Sequence, residues 1–419
     1  MMTDVIVVGA GFAGLSAARA LAENGLRTVV LEARGRVGGR VESAVNALGE
    51  RFDTGGQFLC DDMPEVMALA RRYGKTLATT SFEGEDVAQP PLPSRELATT
   101  RRGVVGLRDR LNGIEPADAA IAGLTVADWL ARQPESAVLK AGFRSMIEGL
   151  WCYALEDMPL WHLVETDRRI TNEQSVLQYQ IVETMHSLAE DLSIGLDIRL
   201  WHAAAGVEHV GETVVVRSGQ SVFEARAVVL AVPPTAAARI AFSPAPAPDL
   251  RRALEAWSSG SVVKAVIRYR RRFWREAGRS GVVMWHAPTG LFACDSSPAD
   301  DRPTLSFFAG GPAARGMKGL SEEQLRMDIA DLLAAALGPE AHAHDAFSLR
   351  GWMAPEDGGY GDVITNVAAA DAETVLRAGL PRIQFAFSEL SPSFPGYVEG
   401  AIVAGRASAE RVMALLATA

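Results

Sequence analysis

The sequence predicts an α/β fold in which a parallel-sheet domain is interleaved with a mixed α+β domain. Three observations predict it. The chain opens on an apolar run, a glycine-rich turn, an alanine-rich segment and a second apolar run. Short strand-like runs between Asp197 and Leu230 end at Pro233-Pro234, where prolines cannot continue a central strand. Near the C-terminus, another strand-like run precedes a Pro-Gly helix opening. At 419 residues the chain is too long for one ordinary domain, and 48% hydrophobic residues can bury a large core.

The first element is Val5-Ile6-Val7-Val8, the pattern of a parallel strand buried on both faces. Gly9-Ala10-Gly11-Phe12-Ala13-Gly14 follows, then a helical stretch from Leu15 to about Glu23, stopped by Gly25. Thr28-Val29-Val30-Leu31 is a second strand, with Glu32 at its end. This is a dinucleotide fingerprint in its strand–turn–helix–strand setting. Gly9 permits the tight turn, Gly11 lets the backbone approach a pyrophosphate, and Gly14 lets helix and strand pack closely. The helix N-terminus offers free N–H groups and a positive dipole end to phosphates. Glu32 can accept both adenosine ribose hydroxyls and disfavours a 2′-phosphate, so a nicotinamide cofactor would be NAD rather than NADP.

Two further segments separate flavin from nicotinamide. Arg34-Gly35-Arg36-Val37-Gly38-Gly39-Arg40 follows Glu32 closely, and Phe52-Asp53-Thr54-Gly55-Gly56-Gln57-Phe58 comes soon after. Arginines among glycines make a cationic loop whose amides can also face a diphosphate. The whole constellation resembles the flavin-containing amine oxidase family, of the monoamine oxidase type. The resemblance implies a Rossmann-like, glutathione-reductase-like FAD-binding domain, with Arg40 touching the pyrophosphate and Gly56 and Gln57 approaching the isoalloxazine ring. It extends through the small β-unit from Leu196 to Leu230, within which Ala204 matches an adenine-contacting position. It continues in Ile383-Gln384-Phe385-Ala386-Phe387-Ser388-Glu389 and Phe394-Pro395-Gly396-Tyr397-Val398. The Phe-Pro-Gly-Tyr form looks closest to bacterial cyclic-amine oxidases of the hydroxynicotine oxidase type.

The FAD-binding residues implied by this resemblance are Gly9, Gly11, Phe12, Ala13, Gly14, Glu32, Ala33, Arg34, Arg40, Gly56, Gln57, Ala204, Ser388, Glu389, Gly396 and Val398. They place the FAD-binding domain in residues 1–60, 185–242 and 379–419, and the substrate domain in 61–184 and 243–378. The first insert reads as largely helical (64–73, 126–133, 138–150), and the second has a helix at 322–337. The sequence departs from the family in two places. Phe387 stands where glycine is usual, and 172–192 lacks a Gly-Gly step. No cysteine lies in 352–362, where mammalian monoamine oxidases attach FAD, so the cofactor is expected to be non-covalent.

Four residues are candidates for the chemistry. Lys264 lies inside the apolar run Ser261–Ile267, on the face shared by Val262 and Val266. Either it snorkels from an edge strand, or it is buried and matches the family's lysine, which holds a water against the flavin. Tyr397 matches one wall of the family's aromatic cage. Tyr360, with Trp352 behind it, is the choice for the other wall. The implied reaction converts an amine to an imine, which water hydrolyses to an aldehyde or ketone, while oxygen becomes hydrogen peroxide.

Other classes fare worse. A net charge of −10 suits neither a nucleic-acid binder nor a lipid-surface protein. The longest apolar stretches are far short of a bilayer span. Three scattered cysteines (Cys60, Cys152, Cys294) fit a reducing, cytoplasmic setting, and His342 and His344 lack the spacing of a metal site. The alternatives left open are a flavin-dependent C–C desaturase or porphyrinogen-type oxidase, a NAD-dependent dehydrogenase, and a non-catalytic flavoprotein module. Oligomeric state is also open, a homodimer included.

Overall fold

A computed structural model of the protein describes residues 3–299, 302–353 and 359–417. The stretch 354–358, part of the aromatic-bearing loop read from the sequence, lies outside the described residues. The chain opens on β1 (Thr3–Val8), α1 (Phe12–Glu23) and β2 (Thr28–Leu31). β1 is buried from Asp4 onward, as a strand covered on both faces must be. It lies between β2 and the strand Ser221–Leu230, parallel to both, with Val8 opposite Leu31 and Leu230. Asp197–Arg199 extends the parallel sheet beyond β2, and Ile383–Phe385 pairs with 228–230. Strands 206–210 and 213–218 continue it as an antiparallel flank.

The strand Ser221–Leu230 serves two environments. Its first half pairs antiparallel with 214–218 and alternates in exposure, whereas its second half lies in the parallel centre and is almost wholly buried. The sequence suggests a strand only at Ala227–Leu230, because polar Ser221 and Glu224 mask the alternating half.

A second, six-stranded sheet runs in the order 344–352, 262–269, 304–310, 291–295, 279–285 and 85–89. Glu85–Gln89 comes from the earlier insert and pairs parallel with 279–285. Helices Pro64–Arg72, Val126–Ala131, Ala137–Trp151 and Glu322–Leu337 fall where the pattern predicts them. Ser94–Asn112, a 19-residue helix, does not: only Leu107 and Leu111 are buried on it, too few to mark a stripe. The last helix, Val398–Ala417, packs along α1, where a Cβ at Gly405 would meet the Ala13 carbonyl at 2.1 Å.

Candidate active site

The glycines of the first turn are placed by contact. Gly9 has φ 102°, and a Cβ there would lie 2.5 Å from the Ala231 carbonyl oxygen. A Cβ at Gly14 would lie 1.9 Å from the Gly9 carbonyl, so Gly14 seats the helix on the strand and does not face the cavity. A Cβ at Gly11, by contrast, would meet nothing nearer than 3.8 Å. Gly11 caps α1 with no side-chain hydrogen bond, so the first N–H groups stay open. At the end of β2, Glu32 accepts the Ala10 N–H at 2.7 Å and the Arg34 N–H at 2.9 Å. That fixes the carboxylate at the cavity wall.

These groups border a cavity of ≈ 900 Å³. Of the implied FAD-binding residues, all but Gly14 line it, including Ala204 from the loop before the strand 206–210 and Ser388, Glu389, Gly396 and Val398 from the C-terminal segment. Arg40 joins the two ends of the chain. Its Nη1 donates to Glu389 at 2.6 Å and its Nη2 to Ser388 Oγ at 2.7 Å. Burial works against both charges, but their pairing prevails, holding Glu389 below and Arg40 above their ordinary values. Phe387 is accommodated without strain: its backbone is extended (φ −79°), and its ring packs 5.3 Å from that of Phe385.

Lys264 lies on a central strand, flanked by 304–310 and 344–352, and is 1% exposed. The edge-strand alternative is therefore set aside. Its Nζ donates to the carbonyls of Asp53 (2.9 Å) and Gly55 (2.8 Å) and to Gln57 Oε1, and stands 5.4 Å from the centre of the Phe308 ring. The ammonium thus sits directly behind Gly56 and Gln57, which face the cavity, while Lys264 itself does not line it. Burial pulls Lys264 below its ordinary value and pushes Asp53 above its own, and their mutual attraction opposes both shifts. The Asp53 carboxylate accepts the Met185 and His186 N–H groups that begin the helix Met185–Ser193.

Tyr360 and Tyr397 both line the cavity, and burial raises both phenols. Trp352 is fully buried behind Tyr360, with ring centres 6.2 Å apart. Its indole N–H donates to the Thr54 carbonyl at 3.0 Å. The wall also includes residues the sequence did not single out. Asp362 accepts from Thr235 and Ser259, and Arg108 comes from the polar helix Ser94–Asn112. Trp151 and His162 also line the cavity, whereas Trp161 and His186 do not.

The chain matches the family model for flavin containing amine oxidoreductase over residues 12–103 and 121–413. A flavin-containing amine oxidase of Danio rerio is 25% identical, the match covering 98% of this chain and 85% of the relative. Two solved structures share the fold at TM-score 0.90 and 24% identity: cyclohexylamine oxidase from Brevibacterium oxydans IH-35A, and a putrescine oxidase bound to putrescine. The alignment covers 100% of both chains for the first and 99% of both for the second. A glycine cradle, a cavity reached by both ends of the chain and a family match over most of its length lead to one conclusion: the protein belongs to the flavin-containing amine oxidases and acts on amines with FAD.

Proposed function

We propose that the cavity holds FAD with its adenosine at Glu32 and Ala204, its diphosphate at Gly11–Ala13 and Arg40, and its ring between Gly56–Gln57 and the two tyrosines. The observation that carries this reading is that Arg40, Ser388 and Glu389 close the cavity from opposite ends of the sequence, while Lys264 sits behind the Gly55–Gln57 backbone. The open turn at Gly11 and the uncapped start of α1 fit a diphosphate. Bound FAD supplies a two-electron acceptor for the amine C–N bond. The chain's own groups orient and select. Tyr360 and Tyr397 present ring faces to the amine nitrogen, and a water-poor wall favours the neutral amine over its cation. Lys264 supports turnover with oxygen, which leaves as hydrogen peroxide. The flavin is held without a covalent bond, a reading supported by the lack of a cysteine in 352–362 and by the burial of Cys152 at the cavity wall, which raises its thiol and disfavours the thiolate.

The segments 1–60, 185–242 and 379–419 act as the FAD-binding domain, and 61–184 with 243–378 as the substrate domain, a division supported by the membership of the two large sheets. Three free, buried cysteines suit a cytoplasmic setting, and no described helix is long and apolar enough to cross a membrane. The test is anaerobic stopped-flow bleaching of the bound flavin with a panel of primary, cyclic secondary and amino-acid amines, followed by peroxide assay in air. Bleaching with peroxide release is the expected result. Bleaching by no amine would overturn the reading.

A further inference from the structure

The cavity extends to the helix Ser94–Asn112, whose Thr100, Arg101, Val104 and Arg108 share the face turned toward it. Arg108 is fixed from behind. Its Nε donates to Asp167 Oδ2 at 2.7 Å and its Nη2 to Oδ1 at 2.9 Å, while Asn112 donates to the same carboxylate at 2.8 Å. Asp167 is fully buried at the end of the helix Leu160–Asp167. Among the described residues, no hydrogen bond engages Nη1 of Arg108, and the side chain forms part of the cavity wall. Arg108 also feels Tyr397: burial raises that phenol, and the guanidinium opposes the rise.

We propose that Arg108 binds a carboxylate on the substrate, so that the amine oxidised is an amino carboxylate with an apolar body. The proposal rests on the cavity being the amine site. A guanidinium locked by one carboxylate presents its remaining N–H groups in a fixed plane, the geometry a second carboxylate accepts. Because Asp167 already balances its charge, recognition comes from oriented donors more than from net field. Arg101 lies seven residues earlier on the same face, about 10 Å away along the helix axis. It is paired with Asp86 and 55% exposed, which places a second cation nearer solvent on an anion's path. The carboxylates that line the cavity are engaged elsewhere: Glu32 with backbone N–H groups, Asp362 with Thr235 and Ser259, and Glu389 with Arg40. Met146, Trp285 and Phe292 supply apolar wall for the substrate body.

The test uses the flavin-loaded enzyme and matched ligands. Racemic phenylalanine and its β- and γ-amino homologues are compared with 2-phenylethylamine by kcat/KM. Benzoate and benzyl alcohol are titrated against the absorbance of the bound flavin. At least one amino carboxylate is expected to exceed the decarboxylated amine by about tenfold or more, and benzoate alone to give a saturable shift. Arg108→Met leaves Asp167 buried without a counter-charge, so Arg108→Met with Asp167→Asn is the variant of choice. In it, the carboxylate-to-amine ratio and the benzoate affinity are each expected to fall about tenfold or more. If that variant does not fold, the wild-type comparison decides alone. An unchanged ratio and benzoate affinity in a folded variant would make Arg108 a structural tie between helices. Oxidation of 2-phenylethylamine with no benzoate response would overturn the carboxylate site and leave the amine-oxidase reading intact. Bleaching by neither class would instead sink that reading, and the benzoate titration would still decide the anion site.

Discussion

Replacing Lys264 with methionine keeps the length of the stem and removes the ammonium. Two backbone carbonyls, of Asp53 at 2.9 Å and Gly55 at 2.8 Å, then lose their donor, as does Gln57 Oε1. Asp53 also loses the cation that offsets its burial. Breaking a buried charged contact in this way costs about 3–5 kcal/mol, so the variant should denature at distinctly lower urea. The informative measurement separates the two halves of turnover. Anaerobic mixing with an amine follows flavin reduction, and mixing the reduced enzyme with oxygen follows reoxidation. If Lys264 serves the oxygen step, reoxidation slows by about 100-fold, while reduction changes less than about fivefold. Equal slowing of both halves would refute the reasoning, because it would mean that Lys264 only props up the 53–57 backbone.

Gly9→Ala forces a Cβ to within 2.5 Å of the Ala231 carbonyl at φ 102°, and the purified protein should lose its yellow colour, read as the ratio of visible to ultraviolet absorbance. Full pigment would show that the turn relaxes. Glu389→Gln removes the carboxylate that holds Arg40 and should weaken FAD retention at least tenfold in a fluorescence titration, and an unchanged affinity would remove this pair from cofactor binding. His162 accepts the Ile364 N–H at 3.1 Å, and burial pulls it down to about 3. The unfolded chain therefore takes up this proton at higher pH than the folded one. Stability falls as pH drops through the ordinary histidine range near 6.5, and this loss stops near 3. Urea midpoints at pH 7.5 and 5 should differ less in His162→Gln than in the parent, and an equal difference would assign the acid sensitivity elsewhere.

The fingerprint was readable because its requirements are local: Gly9, Gly11, Gly14 and Glu32 each answer to a turn, a close approach or a strand end. Lys264 was readable because a charge inside an alternating apolar strand must be explained. Its partners were not, since backbone carbonyls leave no mark on composition. Arg108 escaped notice because its helix buries only Leu107 and Leu111 and shows no stripe. Glu85–Gln89 was hidden for a related reason: three of its five residues are polar, yet it completes a sheet edge. Phe387 looked like a misfit from sequence alone, because whether a position needs glycine depends on a φ that the sequence does not display.

The tight seam between Gly405 and Ala13 also orders events during synthesis. The helix that begins the nucleotide fold is flanked by residues that lie almost 400 positions further along the chain, on the helix Val398–Ala417. A nascent chain halted before Ile383 leaves that helix uncovered along one side and Arg40 without its carboxylate. Pigment uptake is thereby deferred until Ser388, Glu389 and the helix Val398–Ala417 have been made, long after the opening motif.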